Sequence, residues 1–117
     1  MKHIASKGKK YDLKYVYSEN SSLSIIFSRN EDLLGVVGEF NNNIKELEKI
    51  TCTSIYSRGN SIILKNDEKK NEILKNAISF LYEQYIINGS IEKKDIISSI
   101  NKFMIDQSNN LKENINY

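Results

Sequence analysis

The sequence contains one cysteine, Cys52, and one histidine, His3. These counts exclude both a disulfide framework and a Cys/His zinc site within one chain, because each needs several such residues. Every apolar run falls short of the ~20 residues that a membrane helix requires, and no apolar segment follows the charged start as it would in a signal peptide. We therefore expect a cytoplasmic protein with no membrane partner and no bound metal.

The sequence also lacks a P-loop, whose glycine-rich backbone cradles phosphates and whose lysine reaches them. The nearest string, ASKGKKYD at residues 5–12, has no first glycine, no hydroxyl after the lysine and no preceding strand. A catalytic set is missing as well, since the acidic pairs Glu31/Asp32 and Glu46/Glu48 suit capping and surface positions. We expect no catalytic residue in this chain and no ATP hydrolysis by it.

The chain has 117 residues, of which 39% are hydrophobic and 27% charged, as in a soluble globular domain with tails. Its net charge of +2 is weak evidence for nucleic-acid binding. We predict a flexible basic leader over residues 1–20, a domain over 21–106 and a polar tail or linker over 107–117. The leader could alternatively serve as a binding arm, and its run Lys14 to Ser18 could add an edge strand.

Period-two alternation predicts a strand in SLSIIFS, with Leu23, Ile25 and Phe27 on its apolar face. A short helix follows, with Asn30 as its expected N-cap and Gly38 as its end. A second helix is expected to begin at a cap on Asn42 or Asn43. We interpret Cys52, just after this helix, as a small buried or half-buried filler at the start of a strand.

The segment SIYSRGNSIIL predicts a hairpin with Gly59 and Asn60 as its two loop residues, in a type II′ or I′ turn. In that register Ser57 faces Ile62 and Ile55 faces Leu64. Arg58, at the tip, is not required by the turn: its stem could cover Tyr56, or its guanidinium could contact a phosphate or a partner.

A long helix follows the hairpin, and its apolar periodicity is the strongest in the chain. Tyr82 and Tyr85 fall on this apolar stripe, which indicates core packing rather than base stacking. A further helix and a polar end complete the pattern. The order is β–α–α–β–β–α plus a terminal helix, which predicts an α+β fold with a three-stranded sheet covered on one face by helices.

This order resembles that of type I KH domains, which have a Gly-x-x-Gly loop between two short helices. The corresponding run is GEFNNNIKELEKI, with Gly38, Glu39, Phe40 and Asn41 in the loop. Asn41 stands where the second glycine would be, and asparagine tolerates positive φ better than most residues. Glu39 departs from the basic residue that such loops usually hold.

The wider pattern resembles the N-terminal KH-like domain of the PhoH-like, phosphate-starvation-inducible ATPases. The resemblance covers roughly residues 23–101, and no single motif is decisive; the joint order of the motifs carries it. The positions that match are Gly38, Asn41, Asn43, Lys45 and Glu48 in the loop and helix, Arg58, Gly59 and Asn60 in the hairpin, and Asp95, Ile96 and Ile100 in the closing helix.

The resemblance implies an accessory RNA-binding domain of an ATP-binding protein, with single-stranded RNA and the ATPase domain in cis as partners. ATP and magnesium would belong to that ATPase domain, as would any oligomerisation. The implied nucleic-acid contacts are Gly38, Glu39, Phe40, Asn41, Lys45, Lys49, Arg58 and Asn60. Two alternatives stay open: an assembly domain that docks on the ATPase core without binding nucleic acid, and a stand-alone small KH protein.

Overall fold

The computed structural model describes residues 13–101, which form a four-stranded antiparallel sheet and four helices. The strands are β1 (Leu13–Tyr17), β2 (Leu23–Phe27), β3 (Ile55–Arg58) and β4 (Ser61–Leu64). The helices are α1 (Asn30–Val37), α2 (Asn42–Thr51), α3 (Glu68–Asn88) and α4 (93–101), with one 3₁₀ turn, Glu39–Asn41, between α1 and α2. The predicted α+β class is confirmed.

The prediction of three strands is wrong, because residues 13–17 of the expected leader form β1 and pair with β2. The alternative of an added edge strand in the run Lys14 to Ser18 is confirmed. The order across the sheet is β1-β2-β4-β3, so β1 and β3 are its two edges. Residues 1–12 of the expected leader, 102–106 of the expected domain and the expected tail at 107–117 lie outside the described residues.

Two tyrosines hold β1 on the sheet and against α3. Tyr15 pairs with Ile25, which places its ring on the core side of the sheet, and its hydroxyl hydrogen-bonds that of Ser79. The Lys75 ammonium donates to the Tyr17 hydroxyl at 3.1 Å and lies 5.0 Å from the centre of the Tyr15 ring. Because a tyrosine side chain has an apolar ring and a polar hydroxyl, the run LKYVY shows no clear alternation of apolar and polar residues.

The hairpin has the predicted register, with Ile55 opposite Leu64 and Ser57 opposite Ile62. Of its two loop residues only Gly59 has a positive φ, at 62°. A type I′ turn requires positive φ at both positions, so the turn is of the type II′ kind. The hairpin therefore forms as expected from its turn chemistry.

The helices pack on one face of the sheet, and apolar side chains of all four form a single core with it. Phe27 of β2 meets Tyr82 of α3 edge to face, with ring centres 5.7 Å apart. Such a pair contributes about 0.5–1.5 kcal/mol beyond the area it buries. The prediction that Tyr82 belongs to the core is confirmed.

The core residues are Leu23, Ile25, Phe27, Leu33, Val36, Val37, Ile44, Leu47, Ile55, Ile62, Leu64, Leu74, Ala77, Ile78, Leu81, Tyr82, Ile96 and Ile100.

The predicted caps of the two short helices are wrong. Asn30 is the first residue inside α1, and Arg29 at the cap position accepts no hydrogen bond through its side chain. The helix α2 begins at Asn42 after Asn41, whose side chain also makes no cap bond. The Asn43 amide instead donates to the carbonyl oxygen of Val36 at 3.1 Å, so it ties the start of α2 back to α1.

The prediction for Cys52 is also wrong. It is exposed and sits at the C-terminal cap of α2 in a left-handed conformation, with φ 55° and ψ 50°. Its backbone N–H donates to the Glu48 carbonyl oxygen, which closes the last turn of the helix. A cap position faces solvent, so the small side chain fills no space in the core.

Candidate nucleic-acid interface

The corner between α1 and α2 has a backbone that few residues adopt. Gly38 has φ 82° and ψ 172°, and the next two residues with positive φ are Phe40 at 54° and Asn41 at 60°. The corner is closed by a hydrogen bond from the Asn41 N–H to the Gly38 carbonyl oxygen at 3.0 Å. The expectation that Asn41 takes a positive φ in place of glycine is confirmed.

Phe40 stands at the tip of this corner with 81% of its surface exposed. A large apolar side chain gains nothing from such exposure, and a non-glycine residue at positive φ costs about 1–3 kcal/mol. Backbone strain of this kind concentrates at binding sites, where the surrounding structure maintains it. An exposed aromatic ring is also the group on which an unpaired base stacks.

An open depression of about 400 Å³ lies beside the corner, between α1, the start of α2 and the end of α3. Its only charged lining residue is Glu39, and it includes no lysine or arginine. A carboxylate repels phosphate, so this side of the corner does not favour a nucleic-acid backbone. The lining residues are Leu34, Gly35, Gly38, Glu39, Asn42, Asn43, Tyr85, Gly89, Ser90 and Ile91.

The other side of the corner continues into α2, which lies against the edge strand β3. The Glu48 carboxylate accepts a hydrogen bond of 2.7 Å from the backbone N–H of Ile55, the first residue of β3. Lys45 lies three positions before Glu48 and therefore on the same side of α2, whereas Lys49 follows Glu48 directly and lies about 100° further around the helix. Both lysines are exposed. The structure thus places Lys45 on the side of α2 that carries the contact to β3, with Lys49 next to Lys45 and further toward solvent.

Lys45, Lys49 and Arg58 take no part in the ion pairs formed within residues 13–101. Those pairs join Arg29 to Glu31 and Asp32, Lys75 to Glu72, and Lys94 to Glu92. In the described part of the chain, neither lysine of α2 forms a salt bridge with Glu46 or Glu48, and Glu48 bonds to β3 instead. Three cations therefore remain available to an anionic partner.

Arg58 is exposed at the end of β3, on the sheet face opposite the helices. It alternates with Ser57, which pairs with the core residue Ile62. The cation over the Tyr56 ring is Lys65, at 5.5 Å, rather than Arg58. Arg58 is thus near the same edge as α2 but projects from the other side of the sheet.

Asn60 has a structural role in the hairpin. Its side-chain amide donates to the Phe27 carbonyl oxygen at 2.8 Å, and its own carbonyl oxygen accepts from the Phe27 N–H at 2.8 Å. These two bonds fix the hairpin tip at the end of β2, three residues before α1 begins. The hairpin tip therefore lies near the start of α1, whereas the corner at Gly38 lies at the opposite end of that helix.

Sequence reasoning missed Lys65, and it did not place the outer positions of β1 and β2 beside those of the hairpin. The alternation of the hairpin placed Tyr56 and Arg58 on one face, but the pairing of β4 with β2 depends on a contact between distant segments. No local signal in the sequence reports that pairing.

Among residues 13–101, no group of three or more His, Cys, Asp or Glu side chains is arranged to hold a metal ion. Nor does this part of the chain contain a helix that has both the length and the apolar character to cross a membrane. Comparisons with protein-family models, with curated proteins and with solved structures found no match to this chain.

Proposed function

We propose that this chain is a KH-like accessory domain that binds single-stranded RNA along the edge formed by α2 and β3. The observation that carries the proposal is the Glu48–Ile55 hydrogen bond, which sets α2 against β3 and so places Lys45 beside that edge, with Lys49 one turn further along the helix. The corner with exposed Phe40 stands at the start of the same helix. Backbone, aromatic and cationic groups thus follow one another along one edge.

In the proposed mechanism the nucleic-acid backbone runs past the corner and along α2. Gly38 has no side chain to obstruct its approach, Phe40 offers a ring to one base, and the two lysines attract phosphates. Arg58 reaches the RNA from the far side of β3. With only a few charged contacts, binding is weak, and the slope of log affinity against log salt is small, about 0.7 for each phosphate neutralised.

The order of elements supports the KH-like assignment. Residues 23–88 run β–α–α–β–β–α, the order of a type I KH domain, and β1 adds a further strand at the edge far from α2. The parent protein that we propose is a PhoH-like ATP-binding protein of the cytoplasm, in which ATP and magnesium belong to a separate P-loop domain. RNA recognition is then the role of this chain, and catalysis is not.

The proposal is tested by fluorescence anisotropy of a labelled oligo(U) RNA titrated with the 117-residue chain at ~50 mM salt, where electrostatic attraction is strong. The double variant Lys45→Gln/Lys49→Gln should weaken binding and reduce the salt slope by about 0.7 for each phosphate that is no longer neutralised. The matched control is Lys69→Gln/Lys93→Gln, which removes the same charge from two exposed lysines on α3 and α4.

Equal reductions of affinity in the two double variants would show that net charge, rather than the α2–β3 edge, determines binding. A wild-type chain that binds no RNA at this salt concentration contradicts the proposal outright.

A second function is favoured by the depression beside Gly38, which contains no cation and carries Glu39. An assembly domain that docks on an ATPase core would use this cation-free surface together with exposed Phe40. In that case Phe40→Ala weakens association with the ATPase domain in a pull-down experiment while RNA affinity stays unchanged. Reduced RNA affinity with unchanged association favours the first proposal instead.

A further inference from the structure

The sheet has a second broad surface on the side away from the helices, which we call the outer face. Strand register places eight side chains on it in two rows across the four strands. The first row is Val16, Ser24, Ile63 and Tyr56, and the second is Lys14, Ile26, Ser61 and Arg58.

The centre of the outer face is apolar. Tyr56 and Val16, at the two ends of the first row, are 51% and 50% exposed. Ile26 and Ile63, on the two inner strands, are half-buried, because side chains of the neighbouring strands lie beside them. The first row therefore forms a flat apolar strip with an aromatic ring at the β3 end and one hydroxyl within it.

The rim of the outer face is positively charged. Lys14 and Arg58 stand at opposite ends of the second row, roughly 14 Å apart at three strand spacings. Lys65, directly after β4, extends its ammonium over the Tyr56 ring at 5.5 Å. No Asp or Glu occupies a strand position of this face, and none of the three cations takes part in an ion pair within residues 13–101.

We propose that the outer face is a second binding surface for single-stranded nucleic acid. A base replaces the Lys65 ammonium over the Tyr56 ring beside Ile63, and the displaced ammonium and Arg58 hold the phosphates on either side of that base. A flat ring beside cations is how proteins hold unpaired strands without reading their sequence. A second copy of this chain fits poorly, because a symmetric pairing would set the cations of one face against those of the other.

This surface is distinct from the α2–β3 edge, with which it shares only Arg58. The proposal therefore stands or fails independently of the function proposed above, and the test uses residues that belong to one surface alone.

The test is anisotropy of a labelled oligo(U) of about ten nucleotides, titrated with the full chain at ~50 mM salt. Tyr56→Leu removes the stacking ring, and we expect affinity to fall about five- to hundred-fold. Tyr56→Phe keeps the ring and should bind like the wild type. Ile87→Ala, which alters an exposed apolar residue on α3, serves as the control and should also match the wild type.

The cations are tested separately with Lys14→Gln/Lys65→Gln. The slope of log affinity against log salt should fall by about 0.7 for each phosphate that these lysines neutralise in the wild type. An unchanged slope overturns the assignment of these lysines. Wild-type affinity in Tyr56→Leu overturns the stacking surface. The surface is also overturned if polyglutamate displaces the RNA and Tyr56→Leu and Tyr56→Phe have the same affinity, because that result indicates an acidic protein as the partner.

The two proposals can be separated with the same probe. If Lys45→Gln/Lys49→Gln abolishes binding while Tyr56→Leu matches the wild type, the α2–β3 edge stands and the outer face is overturned. The reverse pattern supports the outer face and removes the edge.

Discussion

The corner between α1 and α2 depends on the backbone conformation of single residues. The φ and ψ of Gly38, 82° and 172°, fall in a region that is essentially restricted to glycine. A Cβ added there would also lie 2.6 Å from the side-chain nitrogen of Asn43, which is already committed to Val36. The substitution is therefore disfavoured by the backbone and by the neighbouring side chain together.

We predict that Gly38→Ala lowers the free energy of unfolding by about 2–3 kcal/mol in urea denaturation. Gly89→Ala is the matched control, because Gly89 also caps a helix at φ 82° but has ψ −4° and nothing within 4 Å of an added Cβ. Its cost should be only about 1 kcal/mol, the ordinary penalty of a left-handed residue. Equal costs in the two variants would contradict the role of crowding at the corner.

At the scale of elements, β1 is held by side chains from α3 as well as by its pairing with β2. Lys75 lies 5.0 Å from the Tyr15 ring and 5.8 Å from the Tyr17 ring, and it also pairs with Glu72 at 3.2 Å. The hydrogen bond to Tyr17 is the main cause that raises the pKa of Lys75 above the ordinary value of 10.5. A raised lysine pKa stabilises the fold at neutral pH, and this contribution is lost as the pH rises above 10.5 through the folded-state pKa.

We predict that Lys75→Met increases hydrogen exchange of the β1 amides about five-fold, as expected from removing a cation–π contribution of about 1 kcal/mol. Exchange in the β3–β4 hairpin should not change, because Lys75 contacts neither strand. Lys69→Met alters an exposed lysine on the same helix and should leave β1 protected. Uniform acceleration throughout the sheet would instead indicate a global loss of stability.

At the scale of the whole molecule, Asn71 joins segments that are far apart in the chain. It is 4% exposed, and its amide donates to the carbonyl oxygens of Ser21 at 2.7 Å and Leu64 at 3.3 Å. Its side-chain oxygen accepts from the backbone N–H of Asn66 at 3.1 Å. One buried side chain thus ties the β1–β2 turn, the end of β4 and the start of α3 together.

We predict that Asn71→Leu lowers the free energy of unfolding by about 3 kcal/mol, because it leaves several buried backbone groups without a partner. Asn76→Leu, at an exposed position of the same helix, should change stability by no more than about 0.5 kcal/mol. Urea denaturation followed by circular dichroism measures both variants. A mild effect in Asn71→Leu would mean that water replaces the amide in these bonds.

The candidate site was predictable in part. The positive φ of Asn41 and the exposure of Lys45 and Lys49 follow from local pattern. Local pattern does not predict that Arg58 lies on the sheet face away from the helices. Nor does it predict that Asn60 fixes the hairpin tip on β2. Both depend on which strand lies beside the hairpin, and that neighbour is β2, more than thirty residues earlier in the chain.

The sequence by itself determined the features that arise between residues a few positions apart. These are the apolar alternation of β2, the Gly59–Asn60 turn with its register and the long stripe of α3. Only the tertiary structure decided that β1 completes a four-stranded sheet and that the cations of α2 and of the outer face lie on different sides of it. The reason is physical: those outcomes depend on contacts such as Tyr15 with Ser79 and Asn71 with Ser21, which join residues 64 and 50 positions apart.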